Sequence, residues 1–189
     1  TMEPENAAAY AGYARATITL AQNHLDMDFP EAQRVSEAAV AKALQLDPNS
    51  SDVWLAQATL NRVLGIRIGG ARYDKAFDEA VRKAVALDPR NSEALTLLAG
   101  RLADTGKAAE ALAAAKRAVD ADPLSRSALM SYAKSLIRVG KLDEGQKQYR
   151  SVTELYPDFS EARYQLGMAL AEGGRLDQAE PWLKAAVSQ

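Results

Sequence analysis

SEALTLLAGRLADTGKAAEALAAAKRAVDADP, residues 92–123, decides the fold. Leu95, Leu98, Ala99 and Leu102 fall at i, i+3, i+4 and i+7, which is one face of a helix. Gly106 then supplies a tight turn. A second helical run follows, with Ala111, Ala115, Ala118 and Val119 on its apolar face. Asp122-Pro123 closes it, because the residue before proline is pushed out of the αR region and proline cannot continue a helix. The stretch is one helix–turn–helix unit.

The unit recurs in both directions. Leu46-Asp47-Pro48, Leu87-Asp88-Pro89, Ala121-Asp122-Pro123 and Leu155-Tyr156-Pro157 put their prolines 41, 34 and 34 residues apart. Small residues keep phase at Ala58, Ala99, Ala133 and Gly167, and glycines at Gly106, Gly140 and Gly174. A further column reads Ala43, Ala84, Ala118, Val152 and Ala186. Leu129, Tyr132, Ala133 and Leu136 repeat the apolar face of the first helix, and Ala162, Leu166, Ala169 and Leu170 approximate it. Each period holds two helices of roughly 13–15 residues, near the common globular length.

The composition agrees. The chain is rich in alanine and has only 6% aromatics, a helical balance. Its 23 basic and 25 acidic residues leave a net charge of −2 with no lysine or arginine run, which argues against nucleic acid as the main partner. No cysteine is present, so disulfides, thiolate catalysis and Cys-based metal sites are excluded. A Cys-free chain folds equally well in cytosol or periplasm. No run approaches 18 apolar residues, so no membrane span is expected. Thr1-Met2-Glu3-Pro4 lacks the pattern of a signal peptide, and Thr1 ahead of Met2 looks like a cloning remnant of a piece of a longer protein.

A period near 34, a helix–turn–helix unit and a closing proline resemble the tetratricopeptide repeat over residues 51–189. Trp54, Ala58 and Pro89 fit its consensus, as do Tyr164, Leu166-Gly167, Ala179 and Ala186. The resemblance implies an all-α, right-handed superhelical solenoid of antiparallel helix pairs, about ten helices in all. As one array it would run through a degenerate first unit (4–48), a lengthened unit (51–90), and regular units at 92–125, 126–159 and 160–189. The first unit should hold helices near 4–22 and 31–46, with a wide connection at Asp26–Pro30. The seven-residue surplus of the second is expected to form a long loop around Gly65-Ile66-Arg67-Ile68-Gly69-Gly70. Asp122-Pro123-Leu124-Ser125 and the long early units also resemble arrays C-terminal to effector domains in bacterial winged-helix regulators, cyclase-type proteins and kinases. That resemblance implies a sensor or docking module.

In the family, first helices line a concave face that suits a peptide or partner helix. One step around from the core columns this surface should carry Leu55, Thr59 and Arg62, then Thr96 and Gly100, then Met130, Lys134 and Arg138, then Tyr164, Met168 and Glu172. Methionine adapts to varied shapes and tyrosine adds contact area at low entropy cost. Lys134 and Arg138 would hold a carboxylate, as in an acidic or C-terminal peptide. The plainer alternative is two solvated charges one turn apart. The Lys/Asn pattern of chaperone-binding members is missing, which argues against a terminal-carboxylate clamp of that kind.

Leu176, Trp182, Leu183 and Val187 give the last helix more apolar surface than a closing helix needs. Three readings stay open: a continuing array, a homodimer contact through this edge, or Trp182 packed on its own first helix. Asp177 is expected to cap that helix with Glu180 as its capping-box partner, leaving Pro181 in the first turn.

No catalytic constellation emerges, and no cofactor or metal is implied. His24 is the sole histidine, and with Asp26 and Asp28 it is read as a surface residue at a helix end instead of a metal ligand. The 65–70 glycines lack the Gly-Lys-Ser/Thr ending of a phosphate loop. Paired acids such as Asp78-Glu79 and Asp143-Glu144 start or decorate helices. The function expected is a non-catalytic protein- or peptide-binding scaffold. The alternative is a domain that binds a small ligand in the groove or at the 65–72 loop.

Overall fold

The computed structural model describes residues 6–23 and 28–187. Within them lie α1 (Ala7–Asn23), α2 (Phe29–Leu46), α3 (Ser51–Arg67), α4 (Ala71–Leu87), α5 (Ser92–Asp104), α6 (Ala108–Ala121), α7 (Arg126–Arg138), α8 (Leu142–Leu155), α9 (Ser160–Glu172) and α10 (Leu176–Val187). No strand occurs among the described residues. The fold class is all-α, a helical repeat.

Two signals punctuate the chain. At the ends of α2, α4 and α6 Asp47, Asp88 and Asp122 adopt extended ψ values of 88°, 98° and 93°. Their carboxylates accept from the backbone N–H two residues on, at 3.0, 2.9 and 3.1 Å. The Asx turn thereby fixes the four-residue step to the next first helix. Ser50, Asn91 and Ser125 end the step as acceptors for the N–H groups of Val53, Ala94 and Ala128. At the end of a first helix Gly140 takes φ 84°, and Lys141 donates back to the Leu136 carbonyl at 2.9 Å. This closure needs a left-handed residue, which glycine supplies without steric cost.

The expected loop at 65–70 is not there. Gly65, Ile66 and Arg67 end α3 and Ala71 begins α4, so only residues 68–70 connect them. The connection has the same three residues as 105–107, 139–141 and 173–175. The surplus lies in the helices instead. Both α3 and α4 have 17 residues, where later first helices have 13 and α6 and α8 have 14. The physical reason is that the extra turns pack on each other rather than splay: Tyr73 of α4 is buried beside Gly65 of α3, where an added Cβ would be in van der Waals contact with it at 3.5 Å. Likewise Phe29 and Pro30 already belong to α2, with Asp28 as its N-cap. The rest of the expected wide connection, with His24 and Asp26, lies outside the described residues. α10 also begins earlier than expected. Asp177 is inside its first turn and Pro181 is its sixth residue, so Asp177 is no N-cap.

The chain divides into two compact units, Thr1–Ala94 and Leu95–Gln189. In the first, α1 packs on α2, α3 on α4, and α3 also on α1 and α2. Its core joins Ile18, Val40, Val53, Leu60, Val63 and Leu64 with alanines from α1 and α2. Ser36 donates to the Ala14 carbonyl at 3.2 Å, tying α2 to α1. In the second unit α7 pairs with α8 and α9 with α10, while α6 packs on α7 and α8 on α9. Leu95, Leu166 and Leu170 are fully buried there. Burying each contributes about 1.5–3 kcal/mol. Gln146 donates to the Ala169 carbonyl at 2.7 Å, tying α8 to α9.

Candidate functional site

First helices carry every predicted groove position: α3 in the first unit, and α5, α7 and α9 in the second. In the first unit the prediction fails at two of three positions. Leu55 is 1% exposed and Thr59 6%, with the Thr59 hydroxyl donating to the Leu55 carbonyl at 2.9 Å. Both are core, because α3 packs against α1, α2 and α4 and has little free surface. Arg62 is half-buried. Among the described residues its buried Nε has no hydrogen-bond partner, and burial holds the guanidinium below its ordinary pKa.

The second unit keeps more of the predicted surface. Thr96 and Met130 are half-buried. Met130 turns inward, against Leu129, Val152 and Ala162 and against the Leu166 cluster. Lys134, Arg138, Met168 and Glu172 come together around an open cleft of about 280 Å³ between α7 and α9. Ile137, Gln165, Ala169 and Tyr149 complete the lining. Tyr164 is 44% exposed, one turn before Met168 on α9, and does not line the cleft. Gly100 is exposed on α5.

The helical repeat explains the convergence. Lys134, Ile137 and Arg138 are spaced i, i+3, i+4 on α7, while Gln165, Met168, Ala169 and Glu172 do the same on α9. Arg138 donates to the Ala103 carbonyl at 3.0 Å, at the C-terminal end of α5. The side chains of Lys134 and Glu172 form neither a hydrogen bond nor an ion pair among the described residues. Tyr149 reaches the cleft from α8 and is 2% exposed. Desolvation, then the nearby carboxylates of Glu161 and Glu172, push its phenol well above the ordinary tyrosine range. It stays a neutral hydroxyl. By its spacing from Leu142 and Val152, Tyr149 reads in the sequence only as part of the apolar face of a second helix. The signal for more was its column, where Ala115 and Leu183 stand one period away on either side.

A second cleft, of about 410 Å³, was not foreseen. It runs along α8 past Asp143, Gln146, Lys147, Arg150, Ser151 and Glu154 to Arg175. Arg175 donates to Gln146 Oε1 at 2.6 Å and to Asp143. With the Gln146 bond to Ala169, this makes a polar strap across α8, α9 and the start of α10.

At the predicted edge Leu176 is 66% exposed. Trp182 packs on the cluster of Ala133, Tyr149, Leu166 and Leu170. Leu183 lies over Gly167, where an added Cβ would meet it at 2.7 Å. No cluster of three or more His, Asp or Glu able to hold a metal occurs among the described residues. Nor, among them, is any helix long and apolar enough to cross a membrane.

The family model described as the tetratricopeptide repeat matches residues 69–126 and 132–189, more than half of the chain. The chain belongs to the tetratricopeptide repeat family. No curated protein matches it at a significant level. Several solved structures share the tetratricopeptide fold. One is YrrB, described as a tetratricopeptide repeat protein with an unusual peptide-binding site, at 22% identity and TM-score 0.62, over 97% of this chain and 86% of that one. Another is the type IV pilus biogenesis factor PilW, at 20% identity and TM-score 0.72, over 93% and 76%. A third is PilF of Pseudomonas aeruginosa, at 21% identity and TM-score 0.67, over 95% and 79%. At these identities the likeness is one of fold.

Proposed function

We propose that this tetratricopeptide repeat protein is a non-catalytic scaffold that binds a protein or peptide segment across α7 and α9. The observation that carries the reading is the open cleft lined by Lys134, Arg138, Met168 and Glu172. Two parallel rows of side chains at helical spacing offer a partner apolar contact from Met168 and Ile137, with opposite charges on either side. The cleft is open, whereas sites that take a small molecule bury most of its surface. That favours a peptide over a metabolite. The peptide-binding site named for YrrB lends the reading support by analogy of fold.

The finer reading is an interaction or sensor part of a larger bacterial signalling protein. Its support is the long early helix pairs and the Asp122-Pro123-Leu124-Ser125 step. The test of the main reading is affinity capture from a bacterial lysate with the wild-type chain and with a Tyr164→Ala/Met168→Ala/Arg138→Glu variant, both checked for helicity by circular dichroism. The expected result is a protein retained by the wild type and lost from the variant. Equal retention by both would refute the assignment to α7 and α9.

A further inference from the structure

The α7–α9 cleft has a division of labour that specifies its occupant. Its floor is apolar and belongs to the core: Tyr149 and Ala169 are each 2% exposed and pack in the same cluster as Leu166 and Leu170. Ile137 is half-buried against that cluster, and Met168, at 37% exposure, stands at the rim. Its volume of about 280 Å³ accommodates one large side chain. The rim is polar and asymmetric. Lys134 and Arg138 stand on the α7 side, and Glu172 on the α9 side.

The two sides do not neutralise each other. Lys134 and Glu172 have no ion-pair partner among the described residues. Gln165 is already engaged with Glu161 at 2.7 Å, and one Arg138 nitrogen is held by the Ala103 carbonyl. The ammonium of Lys134 is thus the group left to meet an incoming anion. Apolar floors with unpaired charge at the rim are the layout of an anchor pocket, in which one buried side chain supplies affinity and rim charges set register and partner choice.

Resting on the scaffold reading above, we infer that the α7–α9 cleft is an anchor pocket for one large apolar side chain of a partner peptide. An acidic residue within about one helical turn of that side chain would lie against Lys134 and Arg138. The anchor side chain drops between Ile137 and Met168 onto the Tyr149 ring. The acidic residue lies toward α7, and a carboxylate placed on the other side is repelled by Glu172.

Selection of random 12-residue peptides displayed on phage, against the full chain at low salt, tests this. Enriched peptides are expected to share a Leu, Met or Phe with an Asp or Glu within four positions. Met168→Arg should weaken a synthetic copy of the consensus at least about tenfold. Lys134→Glu should abolish the preference for the acid while leaving the preference for the apolar anchor. Both positions are exposed, and unchanged thermal melts would confirm that the variants fold. Peptides that bind without this pairing, or that ignore both substitutions, would overturn the pocket and leave the scaffold reading standing. No enriched peptide would overturn both.

Discussion

At the scale of single residues, Gly145 and Ile137 show how closely the repeat is fitted. A Cβ on Gly145 would stand 2.5 Å from Ile137 Cγ1 and 3.0 Å from the Ala133 carbonyl oxygen. One period away on each side the same two positions are Ala103 with Ala111, and Ala171 with Ala179. A large–small pair in one unit thus replaces a small–small pair in its neighbours and keeps α7 and α8 at close range. Gly145→Ala is expected to destabilise by about 1–3 kcal/mol despite the better helix propensity of alanine, because the carbonyl cannot yield. Adding Ile137→Ala should return part of that loss by opening the side-chain contact. Urea unfolding of both single variants and the double would measure the coupling, and strict additivity would sink the idea.

Tyr149 gives a second prediction at this scale. Its folded pKa is raised, so the stability it contributes is fully present below the unfolded value of about 10 and is lost as pH climbs past it. Above that pH the unfolded chain has released a proton that the folded chain retains. The melting temperature should therefore fall more steeply between about pH 9.5 and 11 in the wild type than in Tyr149→Phe. Parallel slopes would mean that the phenol is as free to ionise in the fold as outside it.

At the scale of elements, the turns obey local rules. The Asp-Pro step with a closing Ser or Asn satisfies orphan N–H groups through side chains of its own four residues. Ser125→Ala should cost about 1 kcal/mol, read from the shift of the urea midpoint. The step before α9 departs from the pattern. Tyr156 replaces the aspartate and Phe159 gives no side-chain cap. In compensation the Tyr156 hydroxyl donates to the Leu124 carbonyl, and Arg126 lies over the rings of Tyr156 and Phe159 at 5.9 and 5.2 Å. Tyr156→Phe should accordingly cost up to about 1 kcal/mol by the same measurement, since the bond to the exposed Leu124 carbonyl is lost. A value near zero would show that water replaces the phenol fully. The helix number and the Asp-Pro and Gly turn signals were legible in the sequence, because each follows from backbone preference and 3.6-residue spacing. The seven extra residues were misread as a loop because glycines at 65, 69 and 70 signal a turn locally. Tertiary packing of two lengthened helices overrode that signal at Gly65.

At the scale of the whole molecule, each compact unit has its own core, and the second holds the complete α7–α9 cleft. A fragment of residues 88–189, starting at the Asp88 turn, is expected to be helical and to unfold cooperatively. Circular dichroism against temperature would check it, and a non-cooperative melt would show that this core does not suffice alone. By itself the sequence determined the all-helical class, the period and the positions of its Asp-Pro and Gly turns, since φ, ψ and helical periodicity are local properties. It also put Lys134, Arg138, Met168 and Glu172 on first helices. Only the tertiary structure decided that Leu55 and Thr59 are core, that Met130 turns inward, and that Tyr149 closes the cleft from a second helix. Burial depends on which neighbour covers a face, and a repeat pattern assigns every unit the same neighbours even where its helices differ in length.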